Sequence, residues 1–130
     1  MRGVTIRKIR VAHSDERRDI LEIMNGELAI KTLKLLKVKK GEKLLGSHYH
    51  TYPEIMCIIK GSGKYRMRNL DTGEEEDYNL TEGDIVFRQG RIVHGGYFTE
   101  DSLILDGACE QYVNADFNDV FEKLYEENNG

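Results

Sequence analysis

Three histidines and one glutamate carry the chemistry that this sequence can support. His48 and His50 are two residues apart, Glu54 follows four later, and His94 comes forty residues after Glu54. Three imidazoles and one carboxylate suit a divalent transition metal such as Zn, Mn, Fe, Ni or Cu, leaving one or two positions for water or substrate. The same imidazoles could instead work without metal, as proton carriers or as hydrogen-bonded interior histidines. Glu54 favours the metal, because a carboxylate facing an apolar interior needs a compensating cation. His13, the fourth histidine, sits among Ser14, Asp15, Glu16 and Arg17 and reads as a solvated turn residue.

The elements around these residues read as short strands. On an extended strand His48 and His50 leave the same face. Pro53 has no N–H to donate and should end that strand, so Glu54 starts the next, the apolar run Ile55 to Ile59. His94 closes the run Ile85 to Val93, from which an antiparallel neighbour can bring it to the other three. Turns are expected at Gly61-Ser62-Gly63, Asp71-Thr72-Gly73 and Thr81-Glu82-Gly83-Asp84, with a last strand at about 102–108. Asn25-Gly26 suits positive φ and predicts a hairpin joining Ile20–Met24 to Leu28–Val38. Val4, Ile6, Ile9 and Val11 predict an N-terminal strand whose alternation slips once, as at a bulge. Phe117, Val120, Phe121 and Leu124 recur at helical spacing behind Asn114 and Asp116, which predicts an amphipathic helix over about 115–127.

The rest of the composition narrows the function classes. A chain of 130 residues with 39% hydrophobic and 32% charged residues is expected to form one domain, residues 1–130, around a single core. The net charge of −4, with Lys and Arg dispersed, offers no concentrated basic field for nucleic acid. No window is long and apolar enough for a signal peptide or a membrane span, so the expected partners exclude membranes and the expected location is the cytoplasm. Cys57 and Cys109 are too few and too distant for a disulfide scaffold or a four-sulfur zinc site, and both read as reduced, buried thiols.

The run His48-x-His50-x3-Glu54-x6-Gly61 resembles the first cupin motif, and Gly83 with His94 resembles the second. The resemblance covers residues 30 to 108. It implies an all-β fold: a single cupin double-stranded β-helix, or jelly-roll, barrel over about 28–108, followed here by the short C-terminal α-helix. It also implies His48, His50, Glu54 and His94 as the metal ligands. The sequence departs from the pattern at Glu42, where a glycine is expected, and at Gln89, Arg91 and Phe98, where Pro, Gly and Asn are usual. The loop before His94 is therefore expected to be shaped differently.

Cupins host many activities, so substrate clues must come from elsewhere. Asp15-Glu16-Arg17-Arg18, Gly46-Ser47-His48-Tyr49-His50 and the tail Glu110 to Phe117 resemble the small cupins that act on nucleotide-linked keto sugars, although Leu45 stands where a basic residue is common. That resemblance implies an isomerase or epimerase in which His48 or His50 shuttles a proton next to a carbonyl. Tyr65 is a candidate second acid, and Arg88 a candidate ligand for an anionic substrate. Met56 and Ile58 share a strand face with Glu54 and are expected to line the pocket. Lys64, Arg66 and Arg68 share the opposite kind of face, read as the wet side of a sheet. An Fe- or Mn-dependent dioxygenase and a non-catalytic small-ligand-binding cupin are the competing readings. A homodimer is expected, because the strand from Val4 to Val11 would otherwise leave an open edge.

Overall fold

A computed structural model describes residues 1–41 and 45–111, and all its regular elements are strands. The helix expected over 115–127 lies outside the described residues.

Eleven strands run in chain order: β1 Val4–Lys8, β2 Arg10–Asp15, β3 Arg18–Glu22, β4 Thr32–Val38, β5 Leu45–His48, β6 Glu54–Lys60, β7 Ser62–Asn69, β8 Glu75–Thr81, β9 Asp84–Arg88, β10 Ile92–Phe98 and β11 Ser102–Ala108. A five-stranded sheet has the order β1-β9-β6-β11-β4, a four-stranded sheet the order β5-β10-β7-β8, and β2-β3 form a separate ribbon. Every pairing is antiparallel.

The two large sheets face each other across one core. Met56 and Ile58 from β6, Val86 from β9 and Ile104 from β11 meet Met67 from β7, Leu80 from β8, and Ile92 and Phe98 from β10. Period-two alternation places these residues inward, and burying each contributes about 1.5–3 kcal/mol. Ile58, fully buried here, is therefore a core residue; the expectation that it lines a pocket gives way to packing.

The glycine turns stand where the sequence puts them. Gly61, at φ +106°, separates β6 from β7, and a Cβ there would lie 1.9 Å from Ser102 Oγ, so only glycine fits. Asn69 Oδ1 accepts from the Asp71 and Thr72 amides in the β7–β8 turn. The basic row on β7 faces β8 as a ladder of unlike residues: Lys64 opposite Asn79, Arg66 opposite Asp77, Arg68 opposite Glu75. Arg66 Nε donates to Asp77 Oδ1 at 2.7 Å.

Two expectations are corrected at the N-terminal end. The slip at Ile9 is a break between sheets, not a bulge: β1 pairs with β9, the Ile9 amide donates to the Gly83 carbonyl, and β2 begins the ribbon. Asn25-Gly26 does not join a hairpin either, since β3 pairs back to β2 and β4 pairs with β11. Gly26 has the expected positive φ, +89°, but the segment serves burial. Ile23, Met24, Leu28 and Ile30 pack on Ile55, Cys57 and Ile85, covering the outer face of the five-stranded sheet. This cover explains why β6 is apolar on both faces, with Cys57 fully buried between them.

Candidate functional site

His48 ends β5 and His94 sits in β10, and the two are register partners with ring centroids 4.7 Å apart. The backbone before His48 is unusual. Gly46 and Ser47 both have positive φ, 84° and 62°, and the β5–β10 register shifts between His94 and Gly95. Ser47 is a buried non-glycine in the left-handed region, a conformation that surrounding structure must enforce. A Cβ on Gly46 would lie 3.0 Å from the His94 carbonyl oxygen, so the glycine lets the two histidine-bearing segments close together.

His50 was expected on the same strand as His48, but the strand stops at His48. Two other contacts hold it. Its carbonyl accepts from the Arg91 amide at 2.7 Å, and its ring stacks on Tyr52 at 4.9 Å. Arg91 stands where the motif normally has glycine, and it adopts the glycine-like φ of +65° regardless. The His48 and His50 rings are 5.0 Å apart and the His50 and His94 rings 6.3 Å.

These three rings, Glu54, Tyr52, Lys34 and Asp106 line a cavity of about 220 Å³ between the sheets. A chamber of about 130 Å³ adjoins it, sharing His48, His94 and Asp106 and bounded also by Met56, Tyr65 and Arg88. Of the candidate site residues named from the sequence, Ile58 alone lines neither. Asp106 was missed. It shares the inward parity of Ile104 on β11, and a lone carboxylate at an inward position of an apolar strand was the available signal.

Burial governs the electrostatics. His94 lies well below the usual imidazole range, chiefly through desolvation and then the Arg88 charge. Its Nδ1 donates to the Ile92 carbonyl at 3.0 Å, since a carbonyl only accepts, so Nε2 keeps its lone pair. His48 is also lowered, by burial and then by His50, with Glu54 opposing. Burial pushes Tyr65 up to about 12, so it keeps its proton at neutral pH, and burial also raises Asp106, with the Arg88 charge opposing.

Glu54 has its cation within the chain. Arg88, directly opposite on β9, places Nη2 3.4 Å from Glu54 Oε1, and both side chains are buried. The sequence argument for a metal rested on an uncompensated carboxylate, and Arg88 answers that need. Among the described residues no three His, Cys, Asp or Glu side chains are grouped to hold a metal ion. The four expected ligands thus share a pocket without fitting a metal as they stand, and no step below runs through one.

No family model matches the chain, and no curated protein matches it in sequence. Solved structures do match. The TDP-quinovose 3,4-ketoisomerase WlaRB from Campylobacter jejuni superposes with a TM-score of 0.78 at 15% identity, covering 97% of this chain and 99% of that one. A mutant of the 3,4-ketoisomerase QdtA from Thermoanaerobacterium thermosaccharolyticum, in complex with TDP-4-keto-6-deoxyglucose, gives 0.75 at 19% identity over 98% and 94%. The rmlC epimerase of Mycobacterium tuberculosis gives 0.72 at 14% over 86% and 66%. The chain therefore shares the jelly-roll fold of these ketoisomerases and of that epimerase.

Proposed function

We propose that the protein is an isomerase or epimerase of a keto sugar, carried on a nucleotide, that moves a proton next to the carbonyl. The observation that carries this reading is the His48–His94 pair: two imidazoles meet edge to face in a pocket, both held towards their neutral, proton-accepting forms. The likeness in fold to enzymes of this chemistry supports it. The two chambers lie at the small end of ligand sites and suit one sugar ring, so the nucleotide would lie outside them.

In this reading His48, which borders both chambers, removes the proton from the carbon beside the carbonyl. The C–H electron pair becomes the C=C bond of an enolate, and the carbonyl π pair moves onto oxygen. Protonating the former carbonyl oxygen, taking the proton from the neighbouring hydroxyl and returning the carbon proton to the former carbonyl carbon shifts the keto group, whereas returning it to the opposite face of the carbon it left epimerises. Tyr65, protonated at neutral pH, is placed to supply a proton, and His50 and His94 serve as relays. Both steps balance without oxidant or cofactor.

The test is incubation with TDP-4-keto-6-deoxyglucose in D2O, followed by NMR. Deuterium entering a position beside the keto group, with a shifted carbonyl or inverted centre, is the expected result. Tight binding with no exchange would leave a ligand-binding cupin instead. We also propose a homodimer, supported by the exposed Leu33 and Leu35 on β4 and by Val11 and Leu21 on the ribbon.

A further inference from the structure

Arg88 is 4% exposed and makes one ion pair, from Nη2 to Glu54. Its Nε and Nη1 are buried and have no hydrogen-bond partner. Buried guanidinium nitrogens are normally satisfied, because the charged group loses its water on burial. The Nε–H lies on the Nη2 side, which Glu54 occupies, whereas Nη1, across the guanidinium, is an idle charged donor of the kind that binds an anionic oxygen. Arg88 borders the inner chamber with His48, His94, Tyr65 and Asp106. Asp106 also has a buried, unpartnered oxygen, Oδ1.

The charged and titratable groups around this chamber are Glu54, Asp106 and Lys34 as well as the three histidines and Tyr65. Glu54 lies beside Ala108 on β11, and Asp106, two residues back on the same inward face, pairs in register with Lys34 of β4. The nearest negative charge, Glu54, sits on Nη2 and leaves Nη1 without a partner. Arg88 borders the chamber beside His48 and His94, both lowered by burial, and Tyr65, raised by it.

We propose that Arg88 is the oxyanion receptor of this pocket: Nη1 binds the substrate's carbonyl oxygen and holds it as it gains charge in the enolate. The inference rests on the proposed proton transfer and names its missing electrophile. The guanidinium then does what a bound metal would do in an enolising site, stabilising charge on oxygen with a fixed, desolvated cation. The substrate class is that of the proposed reaction, an α-hydroxy ketone whose enediolate carries its charge on oxygen.

Oxalate, whose planar oxygens imitate an enediolate, is the probe. It is titrated calorimetrically into chelator-stripped, dialysed protein: wild type, Glu54→Gln, Arg88→Gln and the double variant Arg88→Gln/Glu54→Gln. One oxalate should bind per wild-type chain. Affinity should be equal or higher in Glu54→Gln, which frees Arg88, and at least tenfold lower in both variants lacking Arg88. The double variant leaves no unpaired charge and serves if Arg88→Gln alone fails to fold. Absence of binding to stripped wild type, restored by adding Zn²⁺ or Mn²⁺, would overturn the proposal, as would loss of binding in Glu54→Gln. The NMR assay separates the two readings. Oxalate binding through Arg88 without deuterium exchange sinks the isomerase and keeps the receptor, whereas undiminished exchange in the double variant sinks the receptor and keeps the isomerase.

Discussion

Arg88 and Glu54 are direct cross-strand partners on β9 and β6, joined by an ion pair of 3.4 Å with only 4% and 9% of their surfaces exposed. Breaking such a pair on one side leaves an uncompensated buried charge. Arg88→Met is therefore expected to lower unfolding stability by about 3–5 kcal/mol, while Arg88→Met/Glu54→Leu recovers most of that loss. Urea denaturation at neutral pH measures both. Equal loss in the two variants would show that the pair itself stabilises the fold.

His48 is the expected proton carrier, and His48→Asn should reduce kcat about 10²–10⁴-fold with little change in binding. His50→Asn should fall less, because its ring touches only the outer cavity. Comparing kcat and KM on the keto-sugar nucleotide decides between them. A larger loss in His50→Asn would transfer the role.

Tyr65 is raised to about 12 by burial. Its unfolded counterpart ionises near 10, so stability is complete below that value and declines as pH rises from about 10 through 12. Tyr65→Phe should lessen this alkaline decline, leaving the part due to Cys57 and Tyr78, which burial also raises, and should keep the fold at neutral pH and lower kcat. Thermal melts between pH 8 and 11.5 test the first part, and unchanged kcat would remove Tyr65 from the chemistry.

Gly96 is required by close packing on β10. A Cβ there would meet the Lys64 carbonyl oxygen at 2.3 Å and the Tyr65 ring at 2.7 Å. Gly96→Ala should cost about 1–3 kcal/mol and displace Tyr65 from the chamber wall. The expected signature is reduced stability together with a kcat near that of Tyr65→Phe, and a silent variant would show that the strand yields freely.

Leu33 and Leu35 are 62% and 67% exposed on the outer face of the edge strand β4. With homodimer formation through this face, Leu33→Lys/Leu35→Lys should yield monomers by sedimentation velocity, with the isolated fold intact by circular dichroism. A wild-type chain that sediments as a monomer at tens of micromolar would end the dimer proposal.

Local signals were legible in the residues alone. Glycines with positive φ at Gly61, Gly73 and Gly83 mark turns because the cost of that conformation is paid within one residue. The β7 strand follows from alternation, β6 and β9 from continuous apolar runs, and the histidine cluster from motif spacing. Asn25-Gly26 misled for the same reason: the dipeptide reports a backbone preference, whereas burial of Ile23, Met24, Leu28 and Ile30 on a distant sheet decided the path.

What the sequence by itself determined was the inventory: inward and outward parity, turn positions and the residues available to one pocket. Which of those residues meet was left to register between strands far apart in the chain. Register set Arg88 opposite Glu54, so the carboxylate that seemed to require a metal has a guanidinium instead. It also brought Asp106 to the same chamber and broke the first strand at Ile9. Periodicity is a property of neighbouring residues, but compensation of a buried charge depends on which strand lies beside it, and only the folded sheet supplies that partner.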